Sequence, residues 1–131
     1  MARVEVYELD WGLVYSDSTT QRNHIMTPWF KASGIQKFRM IIEVRNITGN
    51  FECIGTFQTS NDETTPDTTN RNLGSTWLTA HGVYYPSAWT DPTSDLAGYQ
   101  LVRFGVGTRN ASGTTQNLGR VRARLEIVRD V

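Results

Sequence analysis

Apolar and polar residues alternate along most of the chain, and this period of two predicts β-strands. The clearest example runs from Lys37 to Gln58, where two alternating runs flank the sequence NITGN. The side chains predicted to face a core lie on one side of each run: Phe38, Met40, Ile42 and Val44, then Phe51, Cys53, Gly55 and Phe57. Because Gly and Asn suit a tight turn, the pattern predicts a β-hairpin whose turn is Asn46–Asn50.

The same alternation predicts further strands, separated by polar loops. They are residues 2–9, 13–15, 24–30, 75–85, 99–110 and 118–128. Asp10 to Gly12 should turn the chain, and Pro28 should restrict its strand to an edge or an irregular end. The loops at 59–74 and 86–98 are long for a compact domain, and long loops are often functional.

No stretch of ten or more residues shows a helical period, so the pattern predicts an all-β protein. Its 131 residues fit a single domain, residues 1–131, that is large enough to bury a core. Seven or eight strands with Gly- and Pro-containing loops are typical of an antiparallel two-sheet β-sandwich. The alternation does not distinguish a jelly roll from an Ig-like topology.

Charge and hydropathy exclude several classes of partner. Basic and acidic residues number 13 each, so the chain has no net field to attract nucleic acid or an anionic membrane. No apolar run approaches the length of a membrane span. The N-terminal sequence MARVEVYELDW lacks the apolar core of a secretion signal, so we expect synthesis and initial folding in a cytoplasm. Eleven of the thirteen basic residues are Arg, which is favoured at protein interfaces.

The residues that carry most enzyme chemistry are sparse and scattered. Cys53 is a single cysteine on the predicted inner face of a strand, and His24 and His81 have no metal-ligand spacing. Asp62, Glu63 and Asp67 share the first long loop without matching a calcium-binding pattern, which favours a solvated loop. We therefore expect no enzyme activity, no metal and no cofactor.

Two groups of residues are candidates for an interaction surface. Trp77, Tyr84, Tyr85 and Trp89 are concentrated between the long loops, where exposed aromatic faces could stack on sugar rings or pack at a subunit contact. Arg120, Arg122 and Arg124 form a row about 6.6 Å apart on one strand face. Such a row needs acidic partners, either Glu5 or Glu43 within the fold or residues of another subunit.

The runs VRNITGNFECIGTFQTSND and GYQLVRFGVGTRN, followed by a closing strand, resemble the small all-β virion proteins of tailed phages. Capsid decoration proteins belong to this group, and the resemblance covers residues 36–128. It implies a non-enzymatic virion protein that forms homo-oligomers and docks on other virion subunits, with the polar loops and the N-terminal segment as candidate surfaces. The alternative from the residues themselves is a carbohydrate-binding module.

Overall fold

The computed structural model describes residues 2–16, 20–45, 51–62, 71–73, 77–79, 81–84, 89–91, 96, 98–110 and 117–130. Nine β-strands lie within these residues. They are β1 (Ala2–Ser16), β2 (Arg22–His24), β3 (Phe30–Lys31), β4 (Ile35–Arg45), β5 (Phe51–Ser60), β6 (Arg71–Asn72), β7 (Gly82–Tyr84), β8 (Leu101–Asn110) and β9 (Asn117–Asp130).

The strands form two antiparallel sheets. In the first sheet the order is β1-β9-β4-β7, and in the second it is β2-β8-β5-β6, with β3 also paired to β8. Because β2 and β3 pair with different parts of the same strand, they act as one interrupted edge. The chain then alternates between the sheets in the order of a jelly roll. The predicted all-β, two-sheet fold is confirmed, and the interrupted edge raises the strand count to nine among the described residues.

The predicted hairpin between Lys37 and Gln58 is wrong, although both of its strands are present. β4 pairs with β7 and β9, whereas β5 pairs with β6 and β8 in the other sheet. The chain therefore crosses between sheets after β4, and the predicted turn at Asn46–Asn50 lies outside the described residues. Alternation identifies the buried face of each strand. However, two strands that pack across the core from opposite sheets show the same alternation as two strands that are hydrogen-bonded in one sheet.

The predicted turn at Asp10 to Gly12 is also wrong, because β1 is continuous from Ala2 to Ser16. Its pairing with β9 shifts between Leu9 and Gly12, as at a β-bulge. The extra residue changes which side chains face inward, so the apolar–polar alternation is interrupted there. In the sequence, this interruption looks the same as the end of a strand at a turn. Pro28 lies between β2 and β3, consistent with the irregular edge that it predicted.

The core between the sheets contains the residues that alternation assigned to it. Phe38 from the first sheet contacts Phe57 and Phe104 from the second, with ring centroids 5.3 and 4.8 Å apart. The inward residues of β9 are buried as predicted: Val121, Ala123, Leu125 and Ile127. Gly119 is required by close packing, since a Cβ there would lie 2.7 Å from the Phe51 ring. The side chains that remain for interaction therefore point away from this core.

Candidate interaction surface

The outer face of the first sheet consists of the side chains that point away from the core. Register and alternation place on it Val4, Val6, Glu8, Leu13 and Tyr15 of β1, Leu118, Arg120, Arg122, Arg124, Glu126 and Val128 of β9, Lys37, Arg39, Ile41, Glu43 and Arg45 of β4, and Val83 of β7. Basic side chains outnumber acidic ones on this face, although the whole chain is neutral. A surface that meets it would therefore need acidic groups.

The arginine row, Arg120, Arg122 and Arg124, runs along the middle of this face on β9. The three side chains are exposed and alternate with buried residues, as the sequence predicts. Glu43 accepts hydrogen bonds from Nε of Arg122 at 2.7 Å and from Nε of Arg45 at 3.0 Å. Burial of Glu43 favours its protonated form, but the hydrogen bonds from Arg122 and Arg45 outweigh burial and lower its pKa. Glu43 is thus an acidic partner of the row, as predicted.

The other two arginines of the row are held less firmly. Arg124 lies 3.9 Å from Glu8, and both side chains are more than half exposed. Arg120 has no ion-pair partner within the described part of the chain, and it lies opposite Arg45 on one side and Leu13 on the other. The electrostatic support of the row therefore decreases from Arg122 to Arg120, and Arg120 is the most available for an external acidic group.

Glu5 does not join the row, because it faces the other side of β1. It accepts a hydrogen bond from Nε of Arg129 at 2.6 Å, and Arg3 lies 3.3 Å away. The Arg129 hydrogen bond is the main cause of the lowered pKa of Glu5. Arg129 also donates to the carbonyl oxygens of Lys31 and Ser33 at 2.9 and 2.8 Å. This cluster fastens the end of β1 to the chain between β3 and β4.

All four tryptophans stack against arginines, a feature that sequence reasoning missed. The distances from guanidinium carbon to ring centroid are 5.0 Å for Arg122 over Trp11, 4.3 Å for Arg39 over Trp89, 4.6 Å for Arg103 over Trp29 and 4.2 Å for Arg109 over Trp77. Each of these arginines also donates to a Glu or Gln side chain. Trp11 was not singled out because it lies at the bulge, where the alternation of β1 is interrupted. The composition, rich in both Arg and Trp, was the available signal.

The predicted aromatic group does not come together on one surface. Trp89 stacks on an arginine of β4 on the outer face of the first sheet, whereas Trp77 stacks on Arg109 of β8 in the second sheet. Tyr84 is partly buried and packs against the core from β7. Tyr85 lies outside the described residues. The described members of the group therefore do not form a continuous platform for a sugar.

The described residues place no cluster of three or more metal-binding side chains together. Burial raises the pKa of the Cys53 thiol to about 12, so it is protonated at neutral pH. His24 lies 3.1 Å from Oγ1 of Thr108, but that hydroxyl is fully buried and donates to the carbonyl of Tyr15. Of the predicted acidic loop, Asp62 is described and exposed, while Glu63 and Asp67 lie outside the described residues.

The outer face of the first sheet also carries a shallow cleft of about 330 Å³. It lies between the charged side chains Glu8, Glu43, Arg122 and Arg124 and the apolar side chains Ile41 and Val83. Mixed charges around a small apolar floor suit a protein side chain or a short segment of a neighbouring chain. No helix among the described residues is long and apolar enough to cross a membrane.

The strand order defines a jelly-roll sandwich, and structures of viral proteins are among the solved structures that this chain resembles. The infectious bursal disease virus VP2 subviral particle matches with a TM-score of 0.67 and 12% identity over 97% of this chain. The structure of the infectious bursal disease virus Gx strain matches with a TM-score of 0.66 and 13% identity over 98% of this chain. This chain spans 32% and 33% of the length of those chains. No protein-family model matches the sequence, and no curated protein matches it. At this identity the likeness shows the fold alone.

Proposed function

We propose that this chain is a non-enzymatic structural protein of a virus particle, which self-assembles and docks on other virion subunits. The observation that supports this most directly is the jelly-roll order of the two sheets, shared over nearly the whole chain with a protein that forms a VP2 subviral particle. Jelly rolls also occur in lectins and cupins, so the fold alone leaves the function open. The outer face of the first sheet favours assembly among these options.

The outer face supports an assembly function because it combines charge with exposed apolar groups. All the large apolar side chains that are exposed among the described residues lie on it: Val4, Val6, Leu13, Tyr15, Val83 and Leu118. Scattered exposed apolar residues are ordinary, but their restriction to one face is typical of an interaction surface. We therefore propose the arginine row as the charged part of a contact between virion subunits. The finer assignment, a capsid decoration protein of a tailed phage, rests on the sequence resemblance.

The test measures assembly and incorporation into particles. The purified chain is analysed by light scattering and electron microscopy over a range of concentrations, and antibodies to it are tested on purified virions. We expect oligomers or particles, and labelling of virions. A chain that is monomeric at every concentration and absent from virions would refute the proposal.

A pair of matched variants tests whether the arginine row takes part in the contact. Arg122 and Arg109 have similar surroundings, since each donates to a Glu and stacks on a Trp. Arg122 lies on the outer face of the first sheet, and Arg109 belongs to the second sheet. We expect Arg122→Ala to weaken assembly and Arg109→Ala to preserve it, with similar changes in melting temperature. Equal effects of both variants on assembly would contradict a role for the row.

Binding to glycans remains the alternative from the sequence, and the separation of Trp77 from Trp89 gives it no added support. A glycan array with the purified chain would reveal it.

A further inference from the structure

The first sheet has one long edge that no described residue covers. From Ala2 to Leu13, β1 makes backbone hydrogen bonds only with β9 in the described part of the structure. Among the described residues, the other sheet edges are formed by segments of two or three residues, namely β7, β6 and the pair β2 and β3. Short edge strands are a common protection against pairing with other chains. The exposed edge of β1 therefore stands out, because it presents a long row of unpaired N–H and C=O groups.

The side chains of β1 protect this edge only in part, because charged residues alternate along it with exposed apolar ones. Four of the six exposed large apolar side chains noted above belong to it, with exposed fractions of 58% for Val4, 44% for Val6, 66% for Leu13 and 38% for Tyr15. The strand contains neither Pro nor Lys, the residues that most often block an open edge. The bulge between Leu9 and Gly12 interrupts the strand but leaves Ala2 to Leu9 in regular register.

We propose that the edge of β1 pairs with β1 of a second copy of this chain, antiparallel about a two-fold axis centred on Val6. The two first sheets then form one continuous sheet, and the contact is isologous. This inference deepens the proposed virion function by naming a self-assembly contact. It commits to a second copy because β1 is complementary to itself in this register.

The register follows from charge and length. Directly opposed residues must share a face, so the axis passes through a residue of the strand. An axis at Glu5 or Glu8 would place two carboxylates opposite each other, which is unfavourable. An axis at Val6 sets Val6 against Val6 and places Glu5 opposite Tyr7 of the second copy. Within one chain the Tyr7 hydroxyl already donates to Glu5 at 3.2 Å, so this pair is chemically compatible.

The Val6 axis also uses the regular half of the strand most fully. It pairs residues 2–10 with their counterparts, and these include all of Ala2 to Leu9, the part of β1 before the shift in register. An axis at Val4 would oppose Arg3 and Glu5 favourably, but it would pair only residues 2–6. Counting only the regular part of the strand, Ala2 to Leu9, the Val6 register therefore joins the most backbone groups without opposing like charges.

Single cysteines test both the pairing and its register. In a Val6→Cys variant, the two cysteines would lie directly opposite each other, within the Cα separation that a disulfide requires. Val4→Cys is a matched control on the same strand and face, where the register places the two cysteines four residues apart. Val83→Cys is a second control on β7, with a similar exposed fraction of 47%. Cys53 is fully buried, so the unmodified chain should not cross-link.

We expect mild oxidation of Val6→Cys to give a band at twice the monomer mass of 14.8 kDa, while both controls stay monomeric on the gel. Val6→Lys should remove the contact and lower the oligomer mass, while circular dichroism shows that the chain is still folded. Cross-linking at Val4 instead of Val6 would overturn the register, and cross-linking at Val83 instead of Val6 would place the contact on β7 and overturn the pairing through β1. A cross-link to a different virion protein would overturn self-pairing. Virion incorporation without a Val6 cross-link would refute this contact while leaving the proposed function in place.

Discussion

Replacement of Phe104 by Ala tests the two-sheet core directly. The ring is fully buried, and it lies 4.8 Å from Phe38 of the first sheet and 6.2 Å from Phe57 of the second, measured between centroids. Truncation of a buried Phe to Ala costs roughly 3–5 kcal/mol, because transfer free energy is lost and a cavity remains. The near-perpendicular contact with Phe38 places Phe104 toward the upper part of that range, since such pairs contribute about 0.5–1.5 kcal/mol beyond burial.

The expected change in melting temperature follows from chain length. For 131 residues, an unfolding entropy of about 2.1 cal/mol/K per residue makes 1 kcal/mol equivalent to roughly 4 °C. Phe104→Ala should therefore lower the melting temperature by about 15 °C, measured by calorimetry or circular dichroism. Leu118→Ala is the control, because Leu118 is 40% exposed and should change stability by at most about 1 kcal/mol. A loss below about 1 kcal/mol for Phe104→Ala would refute the placement of this ring between the sheets.

Three further predictions test local features. The hydrogen bond from Arg129 lowers the pKa of Glu5 in the folded chain. The stability that this carboxylate contributes is therefore complete above its unfolded pKa of about 4.3 and is lost as pH falls through the lower folded pKa. In urea unfolding, the free energy of unfolding should fall less steeply between pH 7 and pH 3 for Glu5→Gln than for the unmodified chain. Cys53 should react with a thiol reagent at pH 8 only after unfolding, since burial raises its pKa to about 12, and rapid reaction of the native chain would contradict this. Gly105→Ala should lower stability by about 1–3 kcal/mol in chemical denaturation, because its Cβ would meet Met26 and lie 2.9 Å from the carbonyl oxygen of His24.

The core was predictable from the sequence because alternation depends only on each strand. In β9, residues 121, 123, 125 and 127 are buried while the arginine row points outward, as the pattern indicates. The strand pairing was not predictable in the same way. β4 and β5 follow each other in the chain and present inward faces to the same core, so a hairpin and a crossing between sheets produce one sequence pattern. The crossing between sheets is determined by the pairing of β4 with β9 and of β5 with β8, and these partners lie more than 40 residues further along the chain.

The candidate surface was predictable in part for a related reason. The arginine row and its Glu43 partner lie on neighbouring strands, and charge alternation on regular strands indicates both. Trp11 lies at the bulge in β1, where one inserted residue disrupts the period, and its contact with Arg122 depends on that local geometry. The concentration of exposed apolar side chains on one face was not predictable either, in this case because the alternation is regular. Val4 and Val6 alternate as core residues do, so the pattern of β1 does not indicate that this side faces solvent.

The pre-ordering of Arg122 supports the proposed role of this surface in assembly. Docking of a flexible long side chain costs about 0.5–1.5 kcal/mol in lost rotamer freedom. Arg122 is already held by Glu43 and Trp11, yet 52% of its side chain remains exposed, so it can meet a partner with little further ordering. An isolated surface ion pair adds little to the stability of a fold, which makes folding a weak reason for this arrangement. The ordered Arg122, beside the exposed Arg120 and Arg124 and the open apolar edge of β1, is consistent with the proposed neighbouring subunit, whose apolar and acidic groups would cover these side chains.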